Sequence, residues 1–342
     1  MAELIDFKSA KKEQTQRLWQ SLLELSELIV SVWPWDFVDE EAQFAYLPPE
    51  RTDPVFLRCS FAVGGIPRLT LFPSEAAYLA ALRPAKTGRE KNRLYLETEC
   101  YTLDFYESSH LPRELQKLYR DYELMPVEGF WPWPGFKRLG CEPMELSQKQ
   151  LLFLLDALEN FLILFQEMVE RHLDLQMDPD KILLRLYDPR QGVWSTLFAP
   201  SLPAEQAHYP VQVKNSPQLE ALRACPSSKV YPKIDFDFGW LLEPEQEEPQ
   251  DAPWHYNVVV FADHRTGKPL SVTRCHHKDL VDCVFTTLAE LIEAHGRPET
   301  ICLCRDESQD LLEDFTDKLG LSLKRLKALP NTKSIFVGCG AV

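Results

Sequence analysis

Residues 256–326 read YNVVVFADHRTGKPLSVTRCHHKDLVDCVFTTLAELIEAHGRPETICLCRDESQDLLEDFTDKLGLSLKRL. The apolar run Tyr256–Ala262 predicts a strand, and His264-Arg265-Thr266-Gly267 turns it back into a second strand over Pro269–Cys275. Leu280, Val284, Leu288, Leu291 and Ile292 then recur at helical spacing until Gly296-Arg297-Pro298 stops them. Thr300–Cys304 predicts a short buried strand, on which Cys302 and Cys304 share one side. Gln309–Leu319 predicts a helix closed by Gly320, and Leu321–Leu326 a last strand. Strand-helix-strand-helix order of this kind implies parallel pairing in a layered α/β domain.

Upstream, residues 243–253 (EPEQEEPQDAP) hold five acidic residues and three prolines without a large apolar side chain, the composition of an exposed linker. Three parts are therefore expected: an N-terminal α+β domain over 1–242, with a further division point near 175; the linker at 243–253; and a C-terminal α/β domain over 254–342. In the first part, residues 13–32 predict an amphipathic helix ending at Trp33-Pro34. A meander follows, with strands at 44–47, 55–63 and 66–72, and Ser74 caps a helix to Leu82. The alternation in Arg93–Tyr106 predicts one long strand, and 111–124 a helix. Residues 126–145, rich in Pro, Gly and Trp, predict a rigid irregular segment before a long helix capped by Ser147. A hairpin at 182–198 and a strand over Lys233–Trp240 complete the reading.

The net charge of −15 is uneven. Residues 254–342 carry 11 Lys+Arg against 12 Asp+Glu, so −14 lies in residues 1–253. Phosphate binding depends on Lys and Arg displacing counterions, so this charge argues against nucleic acid as a partner. The opening MAELIDFKSAKKEQTQ lacks the apolar stretch of a signal peptide, and five polar or charged residues interrupt the most apolar run, Leu151–Val169. With nine cysteines, an odd number, these features predict a cytoplasmic protein with reduced thiols and no membrane span.

The stretch from Gly296 to Pro330 resembles the C-terminal domain of an uncharacterised bacterial two-domain family, through Arg297, Pro298, Leu303, Asp306, Leu311, Leu312, Leu319, Gly320, Leu329 and Pro330. Phe130, Trp131, Pro132, Phe136, Gly140, Pro143, Leu146 and Leu158 resemble its N-terminal domain. The resemblance implies architecture and no established activity.

The ββαβα order of residues 254–342 also resembles a ribonuclease H-like nuclease. Such an enzyme holds two divalent ions with a carboxylate on the first strand and another after the fourth. Asp263 and Asp306 are the candidates, expected to come together, and a divalent metal is implied only under this nuclease alternative. No acidic residue follows Leu321 to complete the set, and Asp263 in ADHRTG also suits a turn. The spacing of Cys275, His276, His277 and Cys283 fits no zinc pattern, and no nucleophile elbow or phosphate loop occurs. The two Trp-Pro-Trp pieces, with Trp33, Trp35, Trp131 and Trp133, suit either an aromatic groove for a protein or peptide partner or a core bridge. The reading favoured by the sequence is a non-catalytic binding or scaffold protein without a cofactor.

Overall fold

A computed structural model describes residues 2–40, 42–62, 64–83, 87–107, 111, 113–121, 124, 129–144, 146–173, 181–201, 211–246 and 253–342. It is a mixed α and β structure that divides into two compact units. The first comprises Met1–Arg83, Thr98–Arg138 and Pro143–Ala204; the second comprises Pro84–Glu97, Leu139–Glu142 and Glu205–Val342. The chain crosses between the units at several points, the last at 204/205, and no crossing lies in the acidic segment 243–253. Glu245 of that segment and Trp254 just after it exchange backbone hydrogen bonds at 2.8 and 2.7 Å, while residues 247–252 lie outside the described residues.

The first unit contains α1 (Ala2–Val32), β1 (Phe44–Leu47), β2 (Val55–Ala62), β3 (Ile66–Phe72) and α2 (Glu75–Leu82). Chain order then reaches α3 (Gly88–Leu96), which belongs to the second unit, before β4 (Cys100–Glu107), α4 (Arg113–Asp121), β5 (Phe130–Lys137), α5 (Gln148–Glu170), β6 (Lys181–Asp188) and β7 (Val193–Pro200). The strands form one sheet in the order β5-β4-β3-β2-β1-β6-β7, antiparallel except for the β1–β6 pair. Ser147 and Gln150 form a capping box at the start of α5, and Leu154, Leu158, Phe161 and Leu164 are then fully buried among the core side chains of α1 and the sheet. Each such side chain contributes about 1.5–3 kcal/mol by leaving water.

Two stretches differ from the sequence expectation. Arg93–Tyr106 is not one strand: Thr87 and Glu90 form a capping box that commits residues 88–96 to α3, and the strand starts only at Cys100. Residues 130–137 are not irregular but form β5. Pro132 and Pro134 are tolerated because β5 is the end strand of the sheet; on the edge away from β4 it is Phe136, not a proline, that exchanges backbone hydrogen bonds with Met144.

The second unit adds α6 (Pro217–Ala224), β8 (Lys233–Trp240), β9 (Asn257–Asp263), β10 (Pro269–Cys275), α7 (Leu280–His295), β11 (Thr300–Leu303), α8 (Asp306–Leu319), β12 (Ser322–Arg325) and α9 (Pro330–Cys339). Its sheet runs β10-β9-β8-β11-β12. β8, β9 and β10 are antiparallel; β11 lies parallel to β8 on its other side, and β12 parallel to β11. Ile234, Phe236 and Phe238 of β8 join Val259, Leu288, Leu312 and Phe315 in a buried core. β8 is thus the central strand of this sheet, although the sequence reading left it on the N-terminal side of the linker. α9 was not anticipated; Pro330 starts it, where a missing N–H costs nothing. Among the described residues no helix is long and apolar enough to cross a membrane.

Candidate functional site

Alternation along β8 sends Ile234, Phe236 and Phe238 to the apolar core and places Asp235 and Asp237 on the opposite face. Both aspartates are buried, at 1% and 8% exposure. A carboxylate out of water requires hydrogen-bond donors or a cation, and the two aspartates meet this requirement differently.

Asp237 is met by arginine. Arg305, just beyond β11, brings Nε to 2.8 Å and Nη2 to 2.6 Å from Asp237 Oδ1. Its Nη2 also donates to the Phe238 carbonyl, and its guanidinium carbon lies 4.3 Å from the centre of the Phe238 ring. Glu97, from the α3 segment, stands 4.0 Å from Nη1. Burial works against the charge on Arg305, but the carboxylates of Asp237 and Glu97 outweigh it and hold the group protonated. The Cys304 thiol, 3.9 Å from Asp237 Oδ2, is pushed up to about 11 by burial and then by that carboxylate.

Asp235 meets no arginine or lysine among its described contacts. His264 Nδ1 lies 2.5 Å from Oδ1, and Asn331 Nδ2 on α9 donates to Oδ2 at 3.1 Å. The same Asn331 amide donates to the His264 carbonyl at 3.1 Å, tying α9 to the β9–β10 turn. On β11, Cys302 is the register partner of Asp235 and is itself buried. Burial and the neighbouring carboxylate raise its thiol, with Lys324 and Lys233 acting in the opposite sense.

The turn that carries His264 is built by Asp263. Its carboxylate accepts from Arg265 N at 3.3 Å and from Thr266 N and Oγ1 at 3.2 and 2.5 Å. The Thr266 hydroxyl, more than any other group, holds the Asp263 carboxyl below the usual range. Gly267 completes the turn at φ +70°, where a Cβ would come within 2.8 Å of Asn331 Oδ1.

The sequence-predicted pair is therefore not brought together. Asp263 is level with Ile234 near the start of β8, whereas Asp306 follows the far end of β11 and pairs with Arg325 of β12. Asp263 organises a hairpin and Asp306 opens α8 with an exposed ion pair. The sequence signal that would have found the site was the Ile-Asp-Phe-Asp-Phe alternation, which places two acids on one face of a strand.

The four tryptophans sit in the first unit. Trp35 is buried, with Nε1 donating to the Ser60 carbonyl at 3.0 Å. Trp33 lies 5.1 Å from Trp35 and 5.2 Å from Phe130, and Trp131 lies 4.5 Å from Tyr119. Trp33, Trp131 and Trp133 are partly buried and packed against the core, so the rings bridge core elements of this unit.

Residues 218–338 match a domain of unknown function, DUF6930. That span contains Asp235, Asp237, His264, Cys302, Arg305 and Asn331 of the β8 site, while Glu97 lies outside it. Residues 19–185 match a second domain of unknown function, DUF7309, and together the two support a two-domain architecture for an uncharacterised family. No curated protein and no solved structure matches the chain.

Proposed function

We propose that the DUF6930 unit is ribonuclease H-like with β8 as its first strand, and that it serves a binding or scaffold role without two-metal nuclease chemistry. Three antiparallel strands followed by two parallel strands on the other side of the first support this topology. In this reading the carboxylate on the first strand is Asp237, and the segment after the fourth strand supplies Arg305.

One observation carries the non-catalytic reading: a guanidinium occupies the space beside Asp237 that a divalent ion would need. Two-metal catalysis requires oxygen ligands around hard cations, and a buried arginine repels them. The net charge of −15 opposes nucleic acid as a partner. A protein partner is supported by β7, which ends the seven-stranded sheet and exposes Val193, Trp194, Leu197 and Phe198. Among the described residues β7 pairs with β6 alone, and an edge strand with apolar side chains suits an added strand from another protein.

The test is a nuclease assay of the full chain with Mg²⁺ or Mn²⁺ on single- and double-stranded DNA and RNA, alongside calorimetric titration of Mg²⁺. The expected result is neither cleavage nor saturable binding. Cleavage lost on Asp237→Asn would overturn the proposal.

A further inference from the structure

We infer that Asp235, His264 and Cys302 form a binding site for one transition-metal ion of the Zn²⁺ type, with an open fourth position. The three come from β8, the β9–β10 turn and β11, and their ligand atoms all lie within 4.8 Å of one another. In a tetrahedral zinc centre, bonds near 2.0–2.3 Å put such atoms roughly 3.3–3.6 Å apart, so an ion requires the 2.5 Å contact of Asp235 Oδ1 with His264 Nδ1 to open and any wider separation in the set to close.

Donor chemistry selects the metal. One thiol, one imidazole and one carboxylate make a mixed sulfur, nitrogen and oxygen set suited to Zn²⁺ and Co²⁺, whereas Mg²⁺ and Ca²⁺ seek oxygens alone. The buried Asp235 supplies the second, independent observation. Its carboxylate shares hydrogen bonds with His264 and Asn331 but contacts no Arg or Lys among the described residues. A metal ion entering between Asp235 Oδ1 and His264 replaces the hydrogen that the 2.5 Å contact holds there.

The surrounding shell is also present. Asn331 fixes the second oxygen of Asp235 and the backbone of His264, the kind of outer support that orients metal ligands. His264 is 38% exposed at its side chain, giving the ion a route from solvent, while Cys302 and Asp235 close the inner side. Asp237 and Arg305 lie one pleat further along β8, so this site is distinct from the arginine-filled position and does not depend on the ribonuclease H-like reading.

The experiment strips the full chain with chelator and titrates it with Co²⁺ and then Zn²⁺, reading stoichiometry by calorimetry and ligation by absorption. One equivalent of Co²⁺ is expected to give tetrahedral d–d bands and a thiolate-to-metal band, both displaced by Zn²⁺ and unaffected by Mg²⁺. Cys302→Ser should remove the thiolate band. His264→Ala should weaken binding about 10–100-fold or more, since outer-shell partners alone contribute that much. Absence of one-to-one binding would overturn the site, as would a thiolate band that survives Cys302→Ser and disappears in Cys275→Ser/Cys283→Ser. If Cys302→Ser does not fold, His264→Ala decides: an unchanged Co²⁺ affinity rejects the proposal.

Discussion

Two nitrogens of Arg305 converge on a single oxygen of Asp237, Nε at 2.8 Å and Nη2 at 2.6 Å, in a pair whose side chains are 13% and 12% exposed. Removing one member of a buried pair leaves the other charge without compensation, at a cost of roughly 3–5 kcal/mol. Arg305→Met should therefore lower the urea midpoint strongly, and adding Asp237→Asn should recover part of the loss. A single variant as stable as the wild type would show that the pair is dispensable.

Asp263 and Asp306 should behave oppositely in the same assay. Asp263→Ala removes three hydrogen bonds that shape the His264 turn and should cost about 1–3 kcal/mol. Asp306→Ala breaks an exposed pair with Arg325, worth about 0–1 kcal/mol. Equal losses from the two variants would contradict this division of roles.

Trp35→Ala should destabilise by roughly 3–5 kcal/mol, the range for emptying a buried aromatic site. Denaturant unfolding followed by tryptophan fluorescence measures it. Loss of a partner without loss of stability would instead place this ring in a binding groove.

Leu197→Lys and Phe198→Lys on β7 should leave stability within about 0.5 kcal/mol, because both side chains are exposed. Charges on an edge strand oppose strand addition. Light scattering and pull-downs with the full chain should show less association for these variants than for the wild type.

Acid sensitivity should decrease in Asp314→Asn. Lys318 Nζ at 2.7 Å, and then Val213 N at 2.6 Å, hold the Asp314 carboxyl below its usual range. A depressed folded value contributes stability above the unfolded value of about 3.9, and that contribution is lost as pH falls through the folded value. The variant should thus be less stable near neutral pH and converge on the wild type in acid. A constant difference between them at all pH values would contradict the assignment.

Much of the second sheet was legible because its periods are clean. Val258–Ala262 is short, rich in β-branched residues and followed by a Gly turn, which favours a buried strand, and Leu280, Val284, Leu288 and Ile292 mark one helix face. The central strand was misplaced because the acidic stretch after Trp240 looks like a boundary, and no local pattern reports that β8 pairs with β9 and β11. The carboxylates of Asp235 and Asp237 look solvated in a sequence; their burial depends on Asn331 and Arg305, 96 and 68 residues away along the chain. The shared orientation of Cys302 and Cys304 was visible, but not which side chains they would face. Capping at Thr87 was overlooked because Leu94 and Leu96 also satisfy a two-residue alternation.

Because Pro84–Glu97 and Leu139–Glu142 belong with Glu205–Val342, the polypeptide passes from one unit to the other five times. Neither unit is a contiguous genetic cassette, so a gene fragment starting at residue 205 would encode Arg305 without the Glu97 that faces it. During synthesis the two short inserts leave the ribosome well before the strands that receive them. Maturation of the later unit therefore waits on the last part of the chain to be made.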